Sequence, residues 1–110
     1  MSTIWTLAER LNTVPREADA VMRLRSRAWW ELPRTFGCSH AKTADPWFAV
    51  YPMPDIFCGH CALRVLDETT TCLYCAKPVD DTEGEHVVHE ARDFLVLLSV
   101  AHCSCLEAAR

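Results

Sequence analysis

Two Cys-x-x-Cys pairs lie ten residues apart in the middle of the chain. They are Cys58 with Cys61 and Cys72 with Cys75, in the stretch FCGHCALRVLDETTTCLYC, and part of the sequence around the first pair recurs fourteen residues later. A Cys-x-x-Cys turn presents two sulfur ligands to one ion, and zinc in a structural site takes four ligands in a tetrahedron. Because each pair supplies half of such a set, we predict that the four cysteines share one zinc ion.

The chain holds further residues of the types that bind zinc. Cys38 and His40 precede the cysteine pairs, and His102, Cys103 and Cys105 form a cluster near the C-terminus. We predict a second zinc site that joins Cys38 and His40 to two members of the C-terminal cluster. In a helix His102 and Cys105 would share one face, whereas in a strand or loop Cys103 and Cys105 could serve instead.

A sequential division of the ligands is the alternative. One ion would take Cys38 and His40 with the first Cys-x-x-Cys pair, and the other would take the second pair with His86 and His89. The spacing of the latter set, C-x2-C-x10-H-x2-H, resembles that of a two-Cys, two-His zinc finger. Four cysteines could also hold an iron–sulfur cluster, but their spacing does not match the ferredoxin patterns. Zinc is therefore the predicted cofactor.

Length and cysteine content bound the class of protein. A chain of 110 residues with 50% hydrophobic content is enough for one domain with a modest core. The sequence has no run of eighteen apolar residues to predict a membrane span, and its N-terminus lacks the features of a secretory signal. Seven cysteines, an odd number with Cys-x-x-Cys spacing, indicate metal binding before disulfides. We therefore expect a cytoplasmic protein with a single domain, residues 1–110.

The N-terminal third is predicted to be helical and mildly basic. Residues 1–42 carry seven basic and four acidic side chains, a net of +3, so the remainder of this −4 chain carries −7. Apolar spacing predicts helices within residues 1–36. Arg16, Arg23 and Arg27 line one face of the second helix. Such a stripe is commonly a solvated face, and contact with nucleic acid or an acidic partner is its functional interpretation.

Residues 37–81 are predicted to form the zinc-binding region, and residues 82–110 a long C-terminal helix. Residues 46–54, PWFAVYPMP, combine strand-forming residues with three prolines, which indicates an edge strand or an extended segment. ALRVL and TTCLYC are expected to pair as a hairpin. Beyond Gly84, apolar residues recur at steps of three and four, which favours the helix. A buried strand through FLVLLSV is the alternative.

Residues 57–78 resemble the zinc ribbon class, in which two cysteine turns are joined by a short hairpin. Together with the flanking segments, this resemblance implies a small α+β domain stabilised by zinc, with N-terminal helices, a ribbon-like hairpin and the C-terminal helix. Zinc ribbons occur in transcription and translation proteins and in purely structural modules. The class therefore indicates a fold and leaves the function open.

Three functions are compatible with this pattern. A site of four protein ligands leaves no open position for a substrate, so we favour a non-catalytic module that binds a protein partner in a regulatory role. Nucleic-acid binding through the N-terminal helix is the second function, with phosphate contacts from Arg16, Arg23, Arg25, Arg27 and Arg34. The segment from Cys72 to Cys105 is similar in outline to the zinc-containing HNH endonucleases, and that resemblance places His86 at the general base.

Nine arginines against two lysines suit a GC-rich genome, and a phage or mobile-element origin is a further expectation.

Overall fold

The computed structural model describes residues 3–13, 15–17, 19–31, 35–43, 46–80, 82–92 and 95–108. Its elements are, in chain order, helix α1 (Thr3–Arg10), helix α2 (Ala20–Glu31), a 3-10 turn (Ser39–Thr43), strands β1 (Trp47–Val50) and β2 (Ile56–Phe57), helix α3 (Gly59–Asp67), strands β3 (Gly84–Arg92) and β4 (Leu95–His102), and helix α4 (Cys103–Ala108). The predicted α+β class and the two N-terminal helices are confirmed. Within the described ranges, every helix falls short of the length and apolarity that a membrane span needs.

The four strands form one mixed sheet in the order β2-β1-β4-β3. β1 pairs antiparallel with β2 and parallel with β4, while β4 also pairs antiparallel with β3. The strand predicted within residues 46–54 is therefore inside the sheet and not at its edge. The three prolines of this segment lie outside Trp47–Val50, so every residue of the strand keeps an amide that can donate to a neighbouring strand.

The long helix predicted for residues 82–110 is wrong. This part of the chain forms the β3–β4 hairpin and then the short helix α4. Every residue from Leu95 to Ala101 is buried, so β4 is covered on both faces. A strand of that kind has a continuous apolar run and no alternation, and such a run also places apolar residues at steps of three and four. The alternative strand through FLVLLSV agrees with β4 over residues 95–100, and Phe94 lies outside the described residues.

Helices pack against both faces of the sheet. On one face, Leu7 of α1 and Leu66 of α3 belong to the same buried cluster as Leu98 of β4. On the other face, Met22 and Trp29 of α2 belong to buried clusters that contain the alternate residues of β3 and β4. The core is thus two apolar layers with the sheet between them, and cysteine side chains pack in or against both layers.

The hairpin predicted from the repeated cysteine pairs is also wrong. Gly59–Asp67 forms helix α3, in which Ala62 and Leu66 lie one turn apart and are both buried in the cluster against the sheet. This spacing is typical of an amphipathic helix. The second segment, TTCLYC, makes isolated bridges instead: Thr71 pairs with Pro78, and Cys72 with Val100 of β4. The hairpin that joins the cysteine turns of a zinc ribbon is therefore not formed.

Candidate metal centres

Cysteine and histidine side chains converge at two places in the described part of the chain. Site 1 is formed by Cys38, His40, Cys58 and Cys61, and site 2 by Cys72, Cys75, His102 and Cys105. Within each group, one sulfur or nitrogen atom from every residue lies within 4.8 Å of those of the other three. Four atoms at this spacing are close enough to surround one ion.

Site 1 joins the segment before β1 to the start of α3. Cys38 directly precedes the 3-10 turn and His40 lies within it. Cys58 is the N-cap residue of α3, and Cys61 follows in its first turn. The amide N–H of Cys58 donates a hydrogen bond to Cys38 Sγ over 3.3 Å, and His40 Nδ1 lies 4.0 Å from Cys61 Sγ. The antiparallel β1–β2 pair returns the chain between the two ligand pairs, so that distant residues meet.

Site 2 is built in the same way. Cys72 and Cys75 lie in a turn, the β3–β4 hairpin follows, and His102 ends β4 just before Cys105 in the first turn of α4. His102 Nδ1 lies 3.3 Å from Cys75 Sγ and 3.9 Å from Cys105 Sγ. The amide N–H of His102 donates to Cys72 Sγ over 3.5 Å. Each site thus consists of a ligand pair in a turn, two antiparallel strands and a second ligand pair at the start of a helix.

The ring of His102 is oriented by a group outside site 2. Its Nε2 lies 3.0 Å from the carbonyl oxygen of Pro78. A carbonyl oxygen only accepts hydrogen bonds, so Nε2 carries the proton and donates it, and in the neutral ring the lone pair of Nδ1 faces the sulfur atoms. Metal-binding histidines are commonly held in this way, with the second ring nitrogen bonded to a carbonyl or a carboxylate. The orientation of His102 therefore fits a metal ligand.

The pKa values of the thiols show that the sulfur atoms of each site compete for negative charge. Burial opposes ionisation of Cys38, but hydrogen bonds from the Cys58 backbone and from neighbouring side chains lower its pKa to about 7. A hydrogen bond with Cys58 and partial burial raise the pKa of Cys61 to about 11. Burial likewise opposes ionisation of Cys72, but hydrogen bonds from backbone N–H groups lower its pKa to about 6. Burial and the neighbouring Cys72 raise the pKa of Cys105 to about 11. A cation among the sulfurs would allow all of them to ionise.

The donor sets of both sites fit Zn²⁺. Three thiolates and one imidazole are ligands that zinc prefers, and a set of four suits its tetrahedral coordination. In a catalytic zinc site one position is left for water or substrate, whereas in a structural site protein atoms take all four positions. Both sites have the composition of closed, structural zinc sites.

The structure divides the predicted ligands between two groups. Cys58 and Cys61 belong to site 1, while Cys72 and Cys75 belong to site 2, so the single four-cysteine site is not formed. The physical reason is helix α3, which occupies the segment between the pairs. The sequential alternative has the membership of site 1, but its second set contains two histidines of β3 that are not in site 2. The predicted link between Cys38 and the C-terminal cluster is likewise not formed.

Three of the candidate residues lie outside both ligand groups. Cys103 is exposed at the start of α4. His89 is 2% exposed, its Nε2 lies 3.2 Å from Ser26 Oγ of α2, and burial lowers its pKa, so it is a core side chain. His86 lines a cleft of about 220 Å³ that also contains Asp80. The groups of described residues that could hold a metal ion do not include His86.

The predicted arginine stripe is divided between different environments. Arg16 forms an ion pair with Glu85, and its amide donates to the Val88 carbonyl of β3. Arg23 and Arg27 are exposed on α2. The three arginines therefore do not act as one basic surface, and those of α2 are the ones presented to solvent.

The burial of the ligands predicts the order in which the two sites release metal. Site 2 contains the buried Cys72, whereas every ligand of site 1 is partly or largely exposed. Because a chelator competes for an ion through exposed ligands, we expect zinc to leave in two phases, site 1 before site 2. An absorbance zinc indicator should show the slow phase alone in Cys61→Ser and the fast phase alone in Cys75→Ser. Equal rates in the two variants would contradict this order.

Comparison of the chain with protein-family models, curated proteins and solved structures gives no match.

Proposed function

We propose that this protein is a non-catalytic, zinc-binding interaction module with a regulatory role, and that it binds an acidic protein partner through helix α2. The observation that carries the proposal is the combination of two closed four-ligand groups with an apolar side chain exposed on a basic helix face. Zinc at both sites would stabilise the fold, since binding at a structural site contributes directly to folding. Six thiolate ligands require a reducing compartment, which supports a cytoplasmic location.

The proposed binding surface is the Leu24 face of α2, defined by Arg23, Leu24 and Arg27. Leu24 is 62% exposed in the middle of the helix, and both arginines beside it are exposed. The other large exposed hydrophobic side chain among the described residues, Phe36, packs edge-on against Trp47. An apolar side chain beside two cations suits a partner that presents an apolar residue beside carboxylates.

A protein partner fits this face better than nucleic acid does. Arg16 pairs with Glu85, and Arg25 donates to the carbonyl oxygen of Leu73, so both are turned toward the protein itself. Affinity for a nucleic-acid backbone grows with the number of phosphates that are neutralised. In the described part of α2, the two largely exposed arginines, Arg23 and Arg27, lie one turn apart, and the whole chain has a net charge of −4. Arg34 lies outside the described residues.

Peptide display tests the proposed surface. Random peptides are selected on the zinc-loaded protein and, in parallel, on its Leu24→Ser variant. We expect enriched peptides that combine an apolar residue with aspartate or glutamate, and we expect this enrichment to disappear on the variant. Equal enrichment on both proteins, or none on either, would contradict the proposal. Binding of DNA at low salt that is lost in Arg23→Gln/Arg27→Gln would favour nucleic-acid binding instead.

Leu24→Ser should weaken binding without weakening the fold. Leu24 is largely exposed, so we expect the free energy of unfolding to change by less than about 0.5 kcal/mol. Truncation of a hot-spot residue at the centre of an interface costs about 2 kcal/mol or more. Because Leu24 is the apolar centre of the proposed surface, a selected peptide should bind the variant at least about tenfold more weakly. Denaturant unfolding and fluorescence polarisation measure the two effects. Met22→Ala, on the buried side of the same helix, is the control and should destabilise the fold by about 2–5 kcal/mol.

A further inference from the structure

Helix α2 is bonded to the turn that carries two ligands of site 2. Asp19 caps the helix: its Oδ1 accepts a hydrogen bond from the Met22 amide over 2.8 Å, as N-cap side chains commonly do. Its Oδ2 accepts a hydrogen bond from the Tyr74 hydroxyl over 2.6 Å. Tyr74 lies between Cys72 and Cys75. The first turn of α2 is therefore joined to the metal-binding turn through Asp19.

Arg25 makes a second connection between α2 and the same turn. Its Nε donates to the carbonyl oxygen of Leu73 over 3.0 Å, and its Nη2 lies 3.5 Å from the carbonyl oxygen of Tyr74. Its guanidinium carbon lies 5.1 Å from the centre of the Tyr51 ring, which is a cation–π distance. Leu73 and Tyr74 are the two residues between the cysteine ligands. Arg25 thus binds the carbonyl groups of both.

Apolar packing reinforces these hydrogen bonds. Met22 of α2 is 1% exposed and shares a buried cluster with Cys72 and Leu73. The sulfur atoms of a Cys-x-x-Cys turn are held together by the ion that they share, and metal binding of this kind is coupled to folding of the segment. A metal ion at site 2 therefore fixes the backbone and side-chain groups to which α2 is bonded.

We propose that the metal ion at site 2 controls the docking of α2 and, through it, the presentation of the Leu24 face. The proposal rests on the proposed function, because it concerns the same surface. With metal bound, the turn holds the Tyr74 hydroxyl and the two carbonyl groups where Asp19 and Arg25 meet them. When the metal is lost, the turn relaxes and α2 loses these partners. Coupling between two sites is reciprocal, so docked α2 also slows the release of the ion.

Substitutions at the bonds between α2 and the turn test this coupling without removing a ligand. Arg25→Gln/Tyr74→Phe deletes the guanidinium and hydroxyl donors. We expect the variant to bind two zinc ions in native mass spectrometry. Its amides in residues 20–31 should exchange about tenfold faster, and it should release zinc from site 2 about tenfold faster. Glu31→Gln, at an exposed position of the same helix, is the matched control and should behave as the wild-type protein does.

Single-site backgrounds separate the two ions. Cys61→Ser isolates release from site 2 and Cys75→Ser release from site 1. Site 1 adjoins α2 through apolar packing that includes Trp29 and Cys38, but the hydrogen bonds of Arg25 and Tyr74 reach only the turn of site 2 and Asp19. We therefore expect the Arg25 and Tyr74 substitutions to change release from site 1 much less than release from site 2. If a background does not fold, the slow phase of release from the two-site protein supplies the same comparison. Faster exchange of α2 with wild-type zinc release from site 2 would overturn the coupling.

Neither readout uses a partner. Failure of the wild-type protein to select peptides would therefore count against the proposed function alone. Unchanged release from site 2 in Arg25→Gln/Tyr74→Phe would count against the coupling alone.

Discussion

Removing the zinc that we propose for both sites should unfold the protein. The hydrogen-bonded ligand pairs Cys38–Cys58 and Cys75–His102 join residues 20 and 27 positions apart, so each site closes a long loop of the chain. Apparent binding free energies of structural zinc sites are about 10–16 kcal/mol, whereas the net stability of a domain is about 5–15 kcal/mol. We therefore expect a chelator to abolish both the near-UV circular dichroism signal and the cooperative thermal transition.

The control for this experiment is the same chelator already saturated with zinc, which should leave the melting curve unchanged. Returning zinc to the stripped protein should restore the transition. A protein shown by native mass spectrometry to be free of metal, yet melting cooperatively at the original temperature, would contradict a structural role for the ions.

Cys72→Ser should be the most damaging single substitution among the ligands. Cys72 is 0% exposed and packs in the cluster of Met22 and Leu73, so the variant loses a zinc ligand and also buries a hydroxyl in apolar surroundings. We expect it to lose the zinc of site 2 and to unfold with a free energy lower by about 5 kcal/mol or more. Denaturant unfolding together with a zinc count measures both effects.

Cys103→Ser is the matched control for Cys72→Ser. Cys103 is exposed and outside both ligand groups, so the variant should keep two zinc ions and change the free energy of unfolding by less than about 0.5 kcal/mol. Loss of an ion from Cys103→Ser, or a full zinc count in Cys72→Ser, would be inconsistent with the ligand sets.

The sequence predicts the identity of most metal ligands but not how they are divided. Cysteine and histidine pairs at short spacing are recognisable because few residue types bind zinc. Which pairs share an ion depends on the path of the chain between them. That path is determined by Ala62 and Leu66, whose burial against the sheet makes a helix of the segment between the cysteine pairs. The spacing of the cysteines does not indicate such a long-range contact.

The C-terminal part shows a second limit of sequence patterns. The stretch 95–100, which is apolar apart from Ser99, satisfies the spacing of a helix and also suits a strand buried on both faces. His102 and Cys105 are predicted as one ligand pair on a helix, and they do meet in one group. However, His102 ends strand β4 and only Cys105 lies in a helix. Their partners are the second Cys-x-x-Cys pair, which sequence spacing does not indicate.

The sequence also could not predict that Arg25 bonds to the metal-binding turn. In the pattern of α2 it is one of several arginines, and its chemistry is the same as that of Arg23 and Arg27. Its hydrogen bond joins it to Leu73, 48 residues away. Only the fold shows which arginine of the helix meets the metal-binding turn and which ones face solvent.

Native mass spectrometry of two double variants tests most directly whether the ions occupy two separate sites with these ligands. Cys38→Ser/Cys61→Ser removes two ligands from site 1 alone, and we expect it to keep one zinc ion. Cys61→Ser/Cys75→Ser removes one ligand from each site, and we expect it to keep none. The reverse result, with the ion lost from the first variant and retained by the second, would show that Cys58, Cys61, Cys72 and Cys75 share one ion and would contradict the two sites described above.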